Sequence, residues 1–337
     1  MKKPKRILVS RLRFMGDVIL TTPVLSALRT AYPEARITYL AETPFAELLR
    51  PHPDVDELLV LDRSKRGSMF RIYAHIFRSK FDVAIDLFGN PRSAGLTRLS
   101  GARLRIGGNF RGRKKAYTHC IVDDGQPKTA VQFHLQYLKP LEIPAPAVDP
   151  YITVTPEEEA WARQYLADLG YRSDRPLVGI HPGASWPAKQ WLPERFAGVA
   201  NRLAADGKQV LFTMGPGEDE HLEMVIRWCD FPIAQPEVLP LRKLAAVLRE
   251  CTVYVSNDCG PMHLAPAVGT RTVGIFGPGW PDVWFPYARE AGHRLVYHQV
   301  DCSGCDPDHC KKLDCMKSIP VETVVGAVRE ALAHEPA

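Results

Sequence analysis

Short apolar, β-branched runs recur along the chain, each followed by a turn of small or polar residues and then by a stretch with helical spacing. In the first half the runs Arg6–Ser10, Arg36–Leu40, Glu57–Leu61 and Asp82–Leu87 read as strands. In the second half Leu177–His181, Lys208–Thr213, Thr252–Ser256 and Arg271–Phe276 read the same way. Helical spacing covers Thr129–Lys139, Glu157–Leu169, Pro193–Ala205, Pro261–Val268 and Val321–Ala333, and Gly170 suits the position just past a helix end. Two readings stay open near the start: a helix from Asp17 kinked at Pro23, or one capped by Thr22 with Pro23 in its first turn. Strand, turn and helix in alternation predict parallel α/β structure. Five prolines between Pro140 and Pro156 mark a stiff linker, dividing the chain into domains of roughly 1–155 and 176–320.

Within this pattern Val253–Pro278, VYVSNDCGPMHLAPAVGTRTVGIFGP, is a complete βαβ unit. Its turn aims backbone N–H groups and the positive end of a helix beyond the strand end, a place suited to a diphosphate. Taken alone, Gly260-Pro261 is also ordinary turn punctuation and Asp258 an ordinary N-cap. The dinucleotide fingerprint G-x-G-x-x-G is absent after the first strand, which argues against a nicotinamide or flavin enzyme.

The chain has 337 residues, 45% of them apolar and 24% charged, enough for two ordinary cores. A net charge of +5 does not imply nucleic acid, and none is expected as a partner. Charge is instead local: Gly101–Lys115 holds six arginines and lysines and no acid. No apolar run reaches membrane-spanning length, and Arg11 and Arg13 interrupt the opening one, so a cytoplasmic protein is expected. Basic loops would still allow it to sit on an anionic membrane surface. Cys302, Cys305, Cys310 and Cys315 supply four thiols, with His309 as a substitute ligand, for a structural zinc; reduced free thiols are the other reading.

Two segments carry a family resemblance. RLRFMGDVILTTPVLSALR and SNDCGPMHLAPAVGTRTVGIFGP, with HPGASWPAKQW in order between them, resemble glycosyltransferase family 9, the ADP-heptose:lipopolysaccharide heptosyltransferases. The resemblance covers nearly the whole chain. It implies a B-type glycosyltransferase fold: two Rossmann-like domains facing a central cleft, acceptor domain first, nucleotide-sugar domain second, with the final helix packing back on the first. It implies inverting transfer by single displacement without a cofactor. Asp17 would be the general base on the acceptor hydroxyl, where the bland reading is a first-turn carboxylate. Lys189 would offset charge on the leaving diphosphate. Glu218, Asp258, Cys259, Gly260 and His263 would hold the donor. Position 259 departs from the Thr or Ser often found there, leaving its backbone N–H. Arg63, Lys65, Arg66, Arg111 and Arg113 would meet an anionic lipid-linked saccharide, at the cytoplasmic face of the inner membrane. Two rivals remain: a sugar-nucleotide epimerase of the same fold, and a catalytically silent nucleotide-sugar binder.

Overall fold

The computed structural model describes residues 3–110, 112–145, 148–302, 310 and 312–334. The chain divides into two compact units, Met1–Thr153 and Val154–Ala337. In the first, the order is β1 (Arg6–Ser10), α1 (Met15–Ile19), α2 (Thr22–Ala31), β2 (Arg36–Glu42), β3 (Glu57–Leu61), α3 (Ser68–Ser79) and β4 (Val83–Asp86). Then come α4 (Pro91–Leu99), β5 (Leu104–Gly108), β6 (His119–Ile121) and α5 (Ala130–Leu135). All strands are parallel in the order β3-β2-β1-β4-β5-β6. β1 lies between β2 and β4, with Ser10 opposite both Leu40 and Asp86. Ile7, Leu8 and Val9 are buried, because helices cover both faces of such a sheet. That requirement makes RILVS an unbroken apolar run.

The second unit contains α6 (Pro156–Asp168), β7 (Leu177–His181), α7 (Pro193–Ala205), β8 (Gln209–Phe212), α8 (Asp219–Ile226), α9 (Leu241–Glu250) and β9 (Val253–Asn257). It continues with α10 (Gly260–Ala267), β10 (Arg271–Phe276), α11 (Pro281–Trp284), β11 (Arg294–Tyr297), α12 (Asp314–Lys317) and α13 (Val321–Ala333). Its parallel order is β11-β10-β9-β7-β8. Each sheet has one place where neighbouring strands lead away in opposite directions: β1/β4 in the first unit and β7/β9 in the second. Ligands of open parallel sheets bind beyond the strand ends at such a point.

Several expectations shift. The N-terminal helix is two helices, and Thr21 rather than Thr22 precedes α2; its hydroxyl bonds the Val18 carbonyl at 2.7 Å. The stretch 129–139 is helical only through Leu135 and continues as a tighter turn. The basic segment 101–115 is not all loop, since β5 lies within it. The helix over 156–168 belongs to the second unit. Thr155 and Glu158 cap it reciprocally, and Glu158 and Glu159 pair with Arg242 and Arg249 of α9. The final helix contributes to the core of the second unit. Val324, Val325, Val328 and Ala331 of α13 share a core with Val273, Ile275 and Val296 of β10 and β11, and Arg271 bonds the Ala331 and His334 carbonyls at its end. Its apolar stripe is therefore buried by its own unit's sheet.

Candidate functional site

In the first unit the loops after β1 and β4 meet at the strand ends. Asp17 stands in the first turn of α1, and its Oδ2 accepts from the Phe14 N–H at 3.0 Å, closing the helix start. Its Oδ1 pairs with the Arg11 guanidinium, whose other nitrogen bonds the Leu87 carbonyl at 2.7 Å. Both side chains keep about one-sixth of their surface exposed, 15% for Arg11 and 17% for Asp17. An ionised carboxylate has room for about four hydrogen-bond contacts, so two lone-pair positions stay available. The cap and a base role are compatible.

Arg63 lies 3.9 Å from Glu42 at the end of β2, and Arg92 of α4 pairs with the same buried carboxylate at 3.0 Å. Arg113 donates to the Gly89 carbonyl at 2.5 Å. Lys65 pairs with Asp62 at 3.2 Å and is exposed, as is Arg66. Arg111 lies outside the described residues. The structure thus brings Arg63 and Arg113 to the strand ends, and leaves Lys65 and Arg66 on the loop before α3. Beneath them is a residue the sequence reading missed. Asp86, fully buried, accepts from Tyr117 Oη at 2.6 Å, Ser93 Oγ at 2.8 Å and the Phe88 and Gly89 N–H groups at 3.0 Å. Burial pushes its pKa up, against those bonds. Its signal was an acid inside an apolar run, three residues ahead of Gly89-Asn90.

In the second unit the loops after β7, β8 and β9 converge. Lys189 Nζ sits 2.5 Å from Asp258 Oδ2, both largely buried, and 4.7 Å from the Trp186 ring centre. Burial raises the Asp258 pKa, and Lys189 opposes it. The adjacent Asn257 locks the two loops together: its amide donates to the Pro182 carbonyl at 2.7 Å and its oxygen accepts from the Trp191 N–H at 3.1 Å. Glu218 precedes α8 and bends back, accepting from the Gly215 N–H at 2.6 Å and lying 3.4 Å from the buried His181 Nε2. A Cβ on Gly183 would come within 2.2 Å of the Glu218 carboxyl, so glycine is required for that approach.

Cys259 caps α10, and Gly260 opens it with Pro261 in the first turn. The Cys259 thiol contacts Ser256 Oγ at 3.2 Å, and burial pushes its pKa up to about 12. It is thus a neutral thiol, leaving the backbone N–H as its polar offering to this turn. His263 is buried with Nδ1 at 2.8 Å from Tyr287 Oη, and burial and Lys189 lower its pKa to about 3. It is a neutral ring at physiological pH, a hydrogen-bonding group rather than a positive charge. His181, Gly183, Asn257 and Tyr287 were missed; only contacts distant in sequence reveal them. Cys302, Cys310 and Cys315 take part in no disulfide among the described residues, and Cys305 and His309 lie outside them. Among the described residues no group of three potential ligands is gathered for a metal.

The sequence model of glycosyltransferase family 9 (heptosyltransferase) matches residues 69–313. Lipopolysaccharide heptosyltransferase 3 of Escherichia coli K12 is 27% identical over 348 residues, covering 96% of this chain and 97% of its own. The crystal structure of a glycosyl transferase family 9 protein from Veillonella parvula superposes with a TM-score of 0.86 at 25% identity, covering 99% of both chains. The Escherichia coli ADP-heptose lipopolysaccharide heptosyltransferase II structure gives 0.79 at 22% identity, covering 98% of this chain and 100% of the other.

Proposed function

Because the chain belongs to glycosyltransferase family 9 and is a glycosyltransferase, we propose that it transfers a heptose from ADP-heptose to an anionic lipopolysaccharide inner-core saccharide, inverting the anomeric centre. The carrying observation is that the proposed donor residues collect at one β7/β9 switch point, with Lys189 and Asp258 in contact. In the proposed step the acceptor oxygen attacks the anomeric carbon while the bond from that carbon to the diphosphate oxygen breaks. The hydroxyl proton passes to Asp17. The electron pair leaves with ADP, whose growing charge meets Lys189 and the N–H groups opening α10. Neutral His263 would donate one hydrogen bond to the diphosphate. Glu218 would accept from the ribose hydroxyls. Arg63 and Arg113, with Lys65, Arg66 and Arg111, would meet the acceptor's carboxylates and phosphates.

No cofactor is needed for this chemistry. A structural zinc on Cys302, Cys305, Cys310 and Cys315 is a separate proposal, supported by the clustering of four cysteines within fourteen residues of sequence.

The test is a donor panel read by thermal shift, followed by transfer assays with the anomeric configuration of the product assigned by NMR. ADP-heptose should stabilise the protein more than UDP-, GDP- or CMP-sugars. Turnover of nucleotide sugar without any acceptor would favour an epimerase, and binding without transfer a silent binder.

A further inference from the structure

We propose that the outer face of α3 is a membrane-docking surface for an anionic bilayer, on which the enzyme meets its lipid-linked acceptor; this deepens the functional reading above and relies on it only for the acceptor. The helix buries Ser68, Ile72 and Ile76 against the first sheet. On the opposite side it exposes Phe70 at 74%, Phe77 at 68% and Tyr73 at 39%. These positions fall three, four and seven apart, one row along one helix face. Large aromatic side chains aligned in water carry a cost that burial elsewhere must offset.

Charge identifies the partner. Residues 66–80 contain Arg66, Arg71, Arg78 and Lys80 and no acid. None of these four takes part in an ion pair among the described residues, whereas Lys65 is engaged by Asp62. An open groove of about 520 Å³ beside Phe70 is lined by Arg6, Arg71 and Arg78, three guanidinium groups around one concavity. Aromatic rings between unpaired arginines suit the boundary of acyl chains and anionic headgroups. A second copy of the chain fits poorly. A two-fold interface here would set the same row of arginines against itself.

The position also serves the acceptor. α3 starts directly after the loop bearing Arg63, Lys65 and Arg66, and Arg63 reaches Glu42 at the strand ends. A bilayer lying along α3 therefore presents headgroups beside the residues proposed to hold the acceptor.

The experiment is co-sedimentation of the full chain with vesicles of phosphatidylglycerol and phosphatidylethanolamine, against phosphatidylcholine alone. Binding should prefer anionic vesicles and weaken with salt. Phe70→Ser with Phe77→Ser should lower the partition coefficient roughly tenfold or more, and Arg71→Gln with Arg78→Gln about tenfold on anionic vesicles only. Both double variants should keep wild-type melting temperatures and wild-type transfer to a delipidated, soluble acceptor, while losing transfer to acceptor embedded in vesicles. Absent vesicle binding, or binding undisturbed in both double variants, would overturn the proposal. So would concentration-dependent dimerisation abolished by the Phe pair, which would assign the face to a second copy. If no heptose is transferred to any acceptor while vesicle binding behaves as stated, the functional reading fails and the surface stands.

Discussion

At the scale of single residues, Asp17 and Lys189 are each held by a partner of opposite charge, and this determines how their substitution reads out. Asp17→Asn keeps an oxygen for the Phe14 N–H but cannot take a proton, so transfer should fall by roughly 10²–10⁴ with donor affinity nearly unchanged. A mutant transferring at the wild-type rate across a full pH profile would end the base role. Lys189→Ala should weaken both donor binding and transfer. It also strands the buried Asp258 carboxylate, so melting must be followed alongside, with Lys189→Ala plus Asp258→Asn restoring stability but not activity. Unchanged rate and affinity would remove Lys189 from the site. The buried histidines set an acid limit. His52, His134 and His263 have pKa values lowered to about 4, 3 and 3, chiefly by burial. A group whose folded pKa is lowered below its unfolded value of about 6.5 binds its proton in the unfolded chain first. Stability should therefore be full above about pH 6.5 and fall as pH drops toward the folded values, seen as urea midpoints declining between pH 7 and 5. A flat profile would mean these rings are accessible to protons in the folded state.

At the scale of elements, the strand-end turns do the positioning. Gly183→Ala places a methyl where the Glu218 carboxyl lies, in a buried setting with His181 behind. We expect donor affinity to drop about tenfold with melting little changed, as one polar contact is displaced. Titration of ADP-heptose by calorimetry decides it, and an unaltered dissociation constant would exclude Glu218 from the donor contacts. The same scale shows where reading from sequence faltered. β5 hides in a basic, glycine-rich segment because its glycines serve packing: a Cβ on Gly107 would come within 2.3 Å of the Tyr117 ring. β6 and β11 are edge strands in which Val296 is the one buried position, so neither needs the unbroken apolar run that marks the covered strands. Long, covered strands such as β1, β7, β9 and β10 were readable, since burial on both faces demands unbroken apolar runs.

For the whole molecule, the expected division of labour is testable by triple replacement of Arg63, Lys65 and Arg66 with alanine. The acceptor KM should rise while ADP-heptose affinity stays put; equal losses for both would contradict the assignment of acceptor binding to the first unit. If the tail cysteines hold zinc, dialysed protein should retain about one equivalent, lost on Cys305→Ser. Metal-free protein of undiminished stability would leave free thiols there. The amino-acid sequence by itself determined the alternation of strand and helix, the two-unit organisation and the glycine-proline turns facing the strand ends. Those properties follow from local periodicity and backbone preference, which neighbouring residues express without help from distant ones. Tertiary structure alone decided that α13 closes the second core, that Arg11 holds Asp17 and Arg92 holds Glu42, and that Lys189 lies against Asp258 across 69 positions of chain. Such pairings depend on strand order and register, which bring side chains together across gaps that no local pattern in the sequence can encode.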